Sequence, residues 1–498
     1  MIKKLLLLTL AFILQKPLAQ AQLWDSLRVV TGTNTFAARE GYQPLHFVAN
    51  RFNTVADRKF DQSSHLRISN RLMFGFAKSD SLLSPGQEKP FSIDLGADIY
   101  NNRAQSLIFQ EAFIIASYRG LSFKAGRYEE VTGEADQDLS TGSLGVSGNA
   151  LPIPQIAVSI SDYKNIPFTK GWLQFKGSFS HGWMGKNQFM KDAYLHQKTF
   201  YGRIGKNKLR MFGGVQHFAV WGGRRADWTE LDRSWKGFYN VVLVKEADDF
   251  SVDFGRPRDS LINRPNKAGD HRGVIEGGLE WDADRVAIKM YHQTPFDMGQ
   301  GITFKNIDKL LGISLTNKKQ GQIMQKLLLE FIHTKQMTSY DPASHRESYY
   351  NNGIYATGWE YENHIIGTPL FTNRTRGSKY FSEIRPFDWD AAMSETPGNS
   401  NILNNRVVGG HIGMILRMGP SVRSKTLLTY TQNYGTFGIG PFSPYQRQSY
   451  TLQQFSYLPK AASVALTGSF AYDFGQLTDN SAIMLGLEWR IVGRNLTR

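Results

Sequence analysis

The chain of 498 residues contains no cysteine. That excludes a disulfide scaffold, a thiolate zinc or iron–sulfur centre, and every enzyme that uses a cysteine nucleophile. Charged residues are scarce as well, at 20% of the chain against about 25% in average globular proteins. No run of about 18 or more apolar residues occurs after the first residues, which rules out a membrane-crossing helix. Helical periodicity is weak throughout, and no stretch rich in Pro, Ser or charge marks a linker to a second domain. The local signatures G-x-S-x-G, H-E-x-x-H, the P-loop and G-x-G-x-x-G are all missing, and GTFGIG, from Gly435 to Gly440, has its glycines in the wrong order for a phosphate turn. Neither a cofactor nor a metal is therefore expected, and no enzymatic activity.

What is present describes an exported chain that folds. Lys3 and Lys4 precede an apolar run from Leu5 to Leu14, and Ala19-Gln20-Ala21 fits a small-x-small cleavage site, so residues 1–21 are expected to be a signal peptide. Losing Lys3, Lys4 and Lys16 with it lowers the formal charge from +15 to +12. Export argues against nucleic acid as the partner of this basic balance and favours anionic glycans or lipid head groups. Apolar residues at 41% and aromatics at 13% supply enough surface to offset the entropy of ordering a backbone.

The dominant period is two. Phe91, Ile93, Leu95, Ala97 and Ile99 share one face of a predicted strand, while Ser92, Asp94, Gly96 and Asp98 share the other. The last strand repeats the pattern, with Ile483, Leu485, Leu487, Trp489 and Ile491 opposite Ala482, Met484, Gly486, Glu488 and Arg490. Short turns at Arg119-Gly120, Gly205 to Asn207, Asp282 to Asp284, Asn317 to Gly321, Gly419 to Arg423 and Leu458 to Lys460 alternate with longer, aromatic, polar connections. A soluble sandwich shares the first property but not the second. Short turns on one side and long loops on the other are the rhythm of a transmembrane antiparallel β-barrel, and lipid forces such a sheet to close because no water satisfies an open edge. All-β, with an even strand number of about 18, the readable segments allowing 18 to 22, in residues 22–498 and placement in the cell outer membrane, is the fold expected.

Two aromatic groups are candidate binding residues. Trp221, Trp228 and Trp235 recur every seven residues, a spacing that would put them on one stripe of a helix, and they interleave with Arg224 and Arg225. In a loop, such rings could stack on sugars while the guanidinium groups pair with uronate carboxylates; the alternative is an aromatic girdle at the lipid interface. From Tyr340 to Tyr380 a further aromatic-rich stretch carries Tyr349, Tyr350, Asn351, Asn352 and Trp359, a mixture of rings and amides suited to holding a glycan. Here the alternative is a loop that folds inward as a plug.

The string YYNNGIYATGWEYENHIIGTPLF, from Tyr349 to Phe371, resembles the signature region of the Wzi-type outer-membrane capsule assembly family, in the version found in Bacteroidetes-like bacteria. QHFAVWGG around Trp221, NNRVVGGHIG from Asn404 and PLHFVANRFNTV from Pro44 are similar to further segments of that family. The resemblance implies an 18-stranded barrel that acts as a surface lectin, holding capsular or other exopolysaccharide. Two features depart from the family pattern: no helical periodicity between Gln22 and Phe60, and a final GRNLTR in place of a terminal aromatic. The leading expectation is a non-enzymatic, lectin-like barrel whose partners are an acidic polysaccharide and outer-membrane lipid. A porin-like diffusion channel with Ser92, Asp94 and Asp98 lining the pore is the alternative, and a barrel hydrolase built around a Ser–His pair is a third.

Overall fold

The computed structural model describes residues 26–74, 91–224, 231–245, 267–297, 301–319, 321–337, 347–389, 401–436, 441–459 and 463–492. The expected signal peptide, the final GRNLTR, Arg225 and Trp228 lie outside them. Alternating side chains make eighteen antiparallel strands, from β1 (Arg28–Ala38) to β18 (Asn480–Val492), and each pairs with its neighbours in sequence order. The sheet closes where Arg28 to Ala38 of β1 lies in register against Val492 to Ala482 of β18. The stretch between Gln22 and Phe60 forms a strand and one four-residue helix, Leu45–Val48, in its described part.

Period two separates lipid from lumen. Leu66, Ile68, Leu95, Ile114, Leu466 and Leu485 are exposed on the outer wall, whereas the alternate positions Ser63, Ser92, Asp98, Ala471 and Met484 are buried inside. Rings collect at both ends of the outer band. Tyr118, Trp281, Tyr457 and Trp489 lie near the short turns, and Trp183 and Tyr430 near the long connections, with Phe474 at the same end of the wall. A closed sheet with an apolar outer belt between two aromatic girdles is an outer-membrane barrel, with short turns in the periplasm and long connections outside. The tightest turn shows the local chemistry. Arg119 and Gly120, both at positive φ (51° and 89°), join β4 (Ile108–Tyr118) to β5 (Leu121–Arg127), the backbone a two-residue hairpin needs to follow the strand twist.

The lumen is filled by three outer connections, 39–59, 128–154 and the described parts of 334–406, which fold inward. Buried Phe47, Leu139, Tyr350 and Trp359 meet wall residues Phe36, Phe218, Leu310 and Leu328 in one core. Wall side chains tie this plug down. Glu276 on β10 (Asp270–Asp282) accepts hydrogen bonds from the Glu134 N–H at 2.9 Å, the Tyr201 hydroxyl at 2.6 Å and the Gln293 amide at 3.0 Å. Glu330 on β13 (Met324–His333) takes the Ser140 hydroxyl at 2.6 Å and the Thr141 N–H at 2.8 Å, and Asp473 takes the Leu45 N–H at 2.7 Å. Glu276 and Glu330 thus exchange water for several donors, the condition under which a buried charge is tolerable; Asp473 has one donor, and its Oδ1 is buried without any. Asp98 is inward, as the alternation predicts, but it is covered and paired with Arg67 at 2.6 Å, so it does not line an open passage.

Candidate functional site

The sequence-predicted residues fall into two places. Tyr349, Tyr350 and Trp359 are inside the plug, each at most 3% exposed. Trp359 donates its indole N–H to the Gly145 carbonyl at 2.7 Å, packs on Phe218 at 5.1 Å and lies under the Arg272 guanidinium. The Tyr350 hydroxyl donates to the Leu144 carbonyl at 2.7 Å, and the Tyr349 hydroxyl to Asp308 at 3.0 Å. The amides are engaged as well: Asn351 exchanges two hydrogen bonds with the Ile402 backbone, and Asn352 donates to Asp270 at 2.8 Å while accepting from the Ile354 and Tyr355 N–H groups. These side chains present no ring face to the outside. They lock the 347–389 segment onto the 128–154 segment, as a plug loop does.

Trp221 and Trp235 occupy the outer wall instead. Trp221 ends β9 (Leu209–Trp221) and is 3% exposed, while Trp235 begins the helix Trp235–Val242 and is 86% exposed. The seven-residue spacing therefore does not place them on one helical stripe, because a strand ends at the first of them. The helix, capped by the Ser234 hydroxyl, lays Phe238 against Phe179, His181, His196 and Trp221 on the outward face of the barrel. This is the girdle position. Arg224 remains exposed at the rim, paired with Asp192 at 3.2 Å.

The face presented to the exterior is built mainly from residues that the sequence patterns did not single out. Arg376, in the short turn of helix Arg374–Gly377, donates to Asp57 at 2.7 Å, to the Gln43 carbonyl at 2.9 Å and to the Tyr380 hydroxyl at 2.8 Å. Its guanidinium lies over the Tyr42 and Tyr380 rings, which meet edge to face at 6.0 Å. Gln43 also holds the carbonyl of exposed Arg58 at 2.6 Å, next to exposed Lys59. On the other side, Arg374 lies over Phe387 at 4.4 Å, beside exposed Arg385 and the half-buried Lys379. Half-exposed rings result, flanked by Arg58, Lys59, Lys379 and Arg385 and by exposed Glu383 and Asp388, a surface able to stack on sugar faces and offer cations to carboxylates. The only hint in the sequence is that Tyr380, Phe381, Phe387 and Trp389 continue the aromatic stretch, interleaved with Lys379 and Arg385.

One titration bears on this cap. Burial pushes the Glu360 carboxyl up to about 7; the Asn373 and Asn401 amides, at 2.6 and 2.7 Å, pull it partly back, and Glu362 adds repulsion. In the unfolded chain the group would ionise near 4.5. The raised value means that the contribution to stability is complete below the unfolded pKa and is lost as pH rises through about 7, by roughly 3 kcal/mol at most. Proteolysis of the 347–389 segment in the folded barrel should accordingly be faster at pH 8 than at pH 5, and Glu360→Gln should flatten that difference. Equal rates for the native chain at both pH values would refute it.

Among the described residues, no histidine ring nitrogen is hydrogen-bonded to a serine hydroxyl. His46 and His411 share the Thr429 hydroxyl, and His196 contacts the Ser180 carbonyl. Nor does any group of three or more His, Asp or Glu side chains there have metal-binding geometry.

Neither a protein-family model nor a curated protein matches the chain. Solved structures do. Wzi of Escherichia coli, an outer-membrane protein involved in group 1 capsule assembly and described as a carbohydrate-binding β-barrel, superposes with a TM-score of 0.53 at 12% identity, over 95% of this chain and 86% of its own. OccAB4 of Acinetobacter baumannii gives 0.44 at 10% identity over 94% and 99% of the two chains, and OccK3 of Pseudomonas aeruginosa 0.44 at 8% over 95% and 97%. At these identities the likeness to Wzi shows a shared fold.

Proposed function

We propose that this outer-membrane barrel binds acidic capsular or other exopolysaccharide and holds it at the cell surface, without performing chemistry on it. The plug is the observation that carries the reading. With three connections packed into the lumen and tied to wall carboxylates, the barrel offers the exterior a closed cap that carries aromatic rings and basic side chains rather than a water-filled passage. The fold shared with a carbohydrate-binding barrel and the resemblance of the Tyr349 to Phe371 string both support it.

In this reading Arg58, Lys59, Lys379 and Arg385 pair with polymer carboxylates, while Tyr42, Tyr380 and Phe387 stack on sugar rings. Arg224 extends the basic rim. Trp221, Tyr349, Tyr350, Asn351, Asn352 and Trp359 act indirectly by shaping the cap, and Trp235 faces outer-membrane lipid. Each contact is screened by salt, so affinity for one chain segment is modest and retention comes from one polymer spanning several copies. The test is surface polysaccharide in a deletion strain complemented with the Lys379→Ala, Arg385→Ala double variant. A several-fold shift of polymer from cells to medium is expected, and unchanged surface polysaccharide with normal barrel levels sinks the assignment.

A further inference from the structure

Beneath the plug lies a second polar site. A partly open cavity of about 210 Å³ lies between plug residues Asn50, Arg51, Gln137, Asp138, Ser140 and Pro369 and wall residues Lys425, Leu427, Leu452 and Gln454. Lys425 is three residues from the periplasmic end of β15 (Val422–Asn433), and Gln454 three from that of β16 (Gln446–Tyr457), so the cavity sits on the periplasmic side of the plug.

Its charges do not balance internally. Arg51 and Lys425 repel each other across it, and among the described residues no carboxylate lies within ion-pair distance of either. Asp138, the one acid of the lining, is held together with Asp136 by Lys326, at 2.9 and 2.7 Å, and attracts Lys425 only from beyond ion-pair distance, which leaves the two cations in excess. Arg423 adds a further positive charge nearby, and His46 also lines the space. The Asn50 Oδ1 is buried without a hydrogen-bond donor. The chain spends backbone strain at this point, since Asn50, Phe52 and Asn53 all have φ between 51° and 55°, and Phe52 has no local polar group to favour that conformation. Two like charges held together call for an anion, and Arg51 with its planar donors suits a carboxylate. The orphaned Asn50 oxygen calls for a hydroxyl, and the leucines and Pro369 offer an apolar wall for a C–H face. At this volume one sugar ring fits and an oligosaccharide does not.

We infer that this cavity seats a single uronic-acid unit of an acidic glycan, presented from the periplasmic side. The inference rests on the polymer being acidic and adds a contact on the opposite side of the plug from the proposed cap. The experiment is saturation-transfer NMR on the full barrel in detergent, with D-glucuronate, D-glucose and inorganic phosphate as probes. Glucuronate should bind and glucose and phosphate should not compete effectively; Arg51→Gln and Lys425→Met should each weaken glucuronate about tenfold or more, the scale of losing a charge-assisted hydrogen bond. Removing one of two repelling charges should leave the barrel folded, which heat-modifiable gel mobility checks, and Arg51→Lys should retain part of the binding. Phosphate competing as well as glucuronate, or variants that fold and bind normally, would overturn the inference. The Lys379→Ala, Arg385→Ala variant should keep glucuronate binding, so its failure to release surface polymer would count against the cap alone.

Discussion

In planar bilayers the intact barrel should be nearly silent, and excising residues 129–153 and 336–405 together should produce steady currents of the size expected for an empty 18-stranded wall. Both segments leave and re-enter at adjacent paired residues, so each cut can be closed by a short turn. The Thr334 N–H donates to the Val407 carbonyl at 2.8 Å and its hydroxyl to the Asn405 carbonyl at 2.8 Å, while Gly126 pairs with Gln155 across the other stem. The wall keeps every strand pairing. Cutting 336–405 alone should give only small, flickering currents, because 128–154 would still be held by Glu276, Glu330 and Gln293. Large steady currents from the intact protein would favour the channel over the plugged lectin, and a folded but silent double deletion would show that the remaining 39–59 segment closes the lumen by itself.

The second large effect is expected at Trp359. Its ring is 1% exposed; the hydrogen bond to Gly145 joins the two main plug segments, and the packing against Phe218 fixes them to the wall. Trp359→Ala leaves a cavity and an unpaired Gly145 carbonyl, and should cost about 3–5 kcal/mol of plug stability. Hydrogen exchange of the plug amides is the measurement. Trp359→Phe should recover most of the packing but not the hydrogen bond. Trp235→Ala, at an exposed ring of the same kind, should leave plug exchange unchanged. Similar exchange in all three variants would remove Trp359 from the set of residues that hold the plug.

The wall was legible because lipid imposes a rule on every second residue. The Phe91 to Ile99 and Ile483 to Trp489 alternations, and turns such as Arg119-Gly120, appear in the structure where they were expected. The plug obeys no period. Its residues hydrogen-bond to distant partners such as Glu276 and Glu330, and nothing local distinguishes a buried Tyr349 or Trp359 from a ring awaiting a sugar. Composition identified an aromatic loop but not which way it turned. The first outer connection, 39–59, was marked only by the resemblance of PLHFVANRFNTV and not by any pattern, because its core residues Leu45, Phe47 and Val48 fill only one helical turn. The cap around Arg376 and Tyr380 was missed for a related reason: it is assembled from residues more than three hundred positions apart, Gln43 and Asp57 on one side and Arg376 on the other.

The seam between β1 and β18 has a consequence for biogenesis. Every segment that fills the lumen lies, along the chain, between the two strands that shut it, so the wall closes around contents that have already been delivered. Pairing Ala38 with Ala482 is among the most sequence-distant contacts in the molecule, and such contacts are slow to form because the loop-closure entropy comes first. Docking of the plug before the seam shuts is therefore the expected order, and a mutation that delays docking should appear first as trapped, unclosed intermediates rather than as a leaky finished barrel.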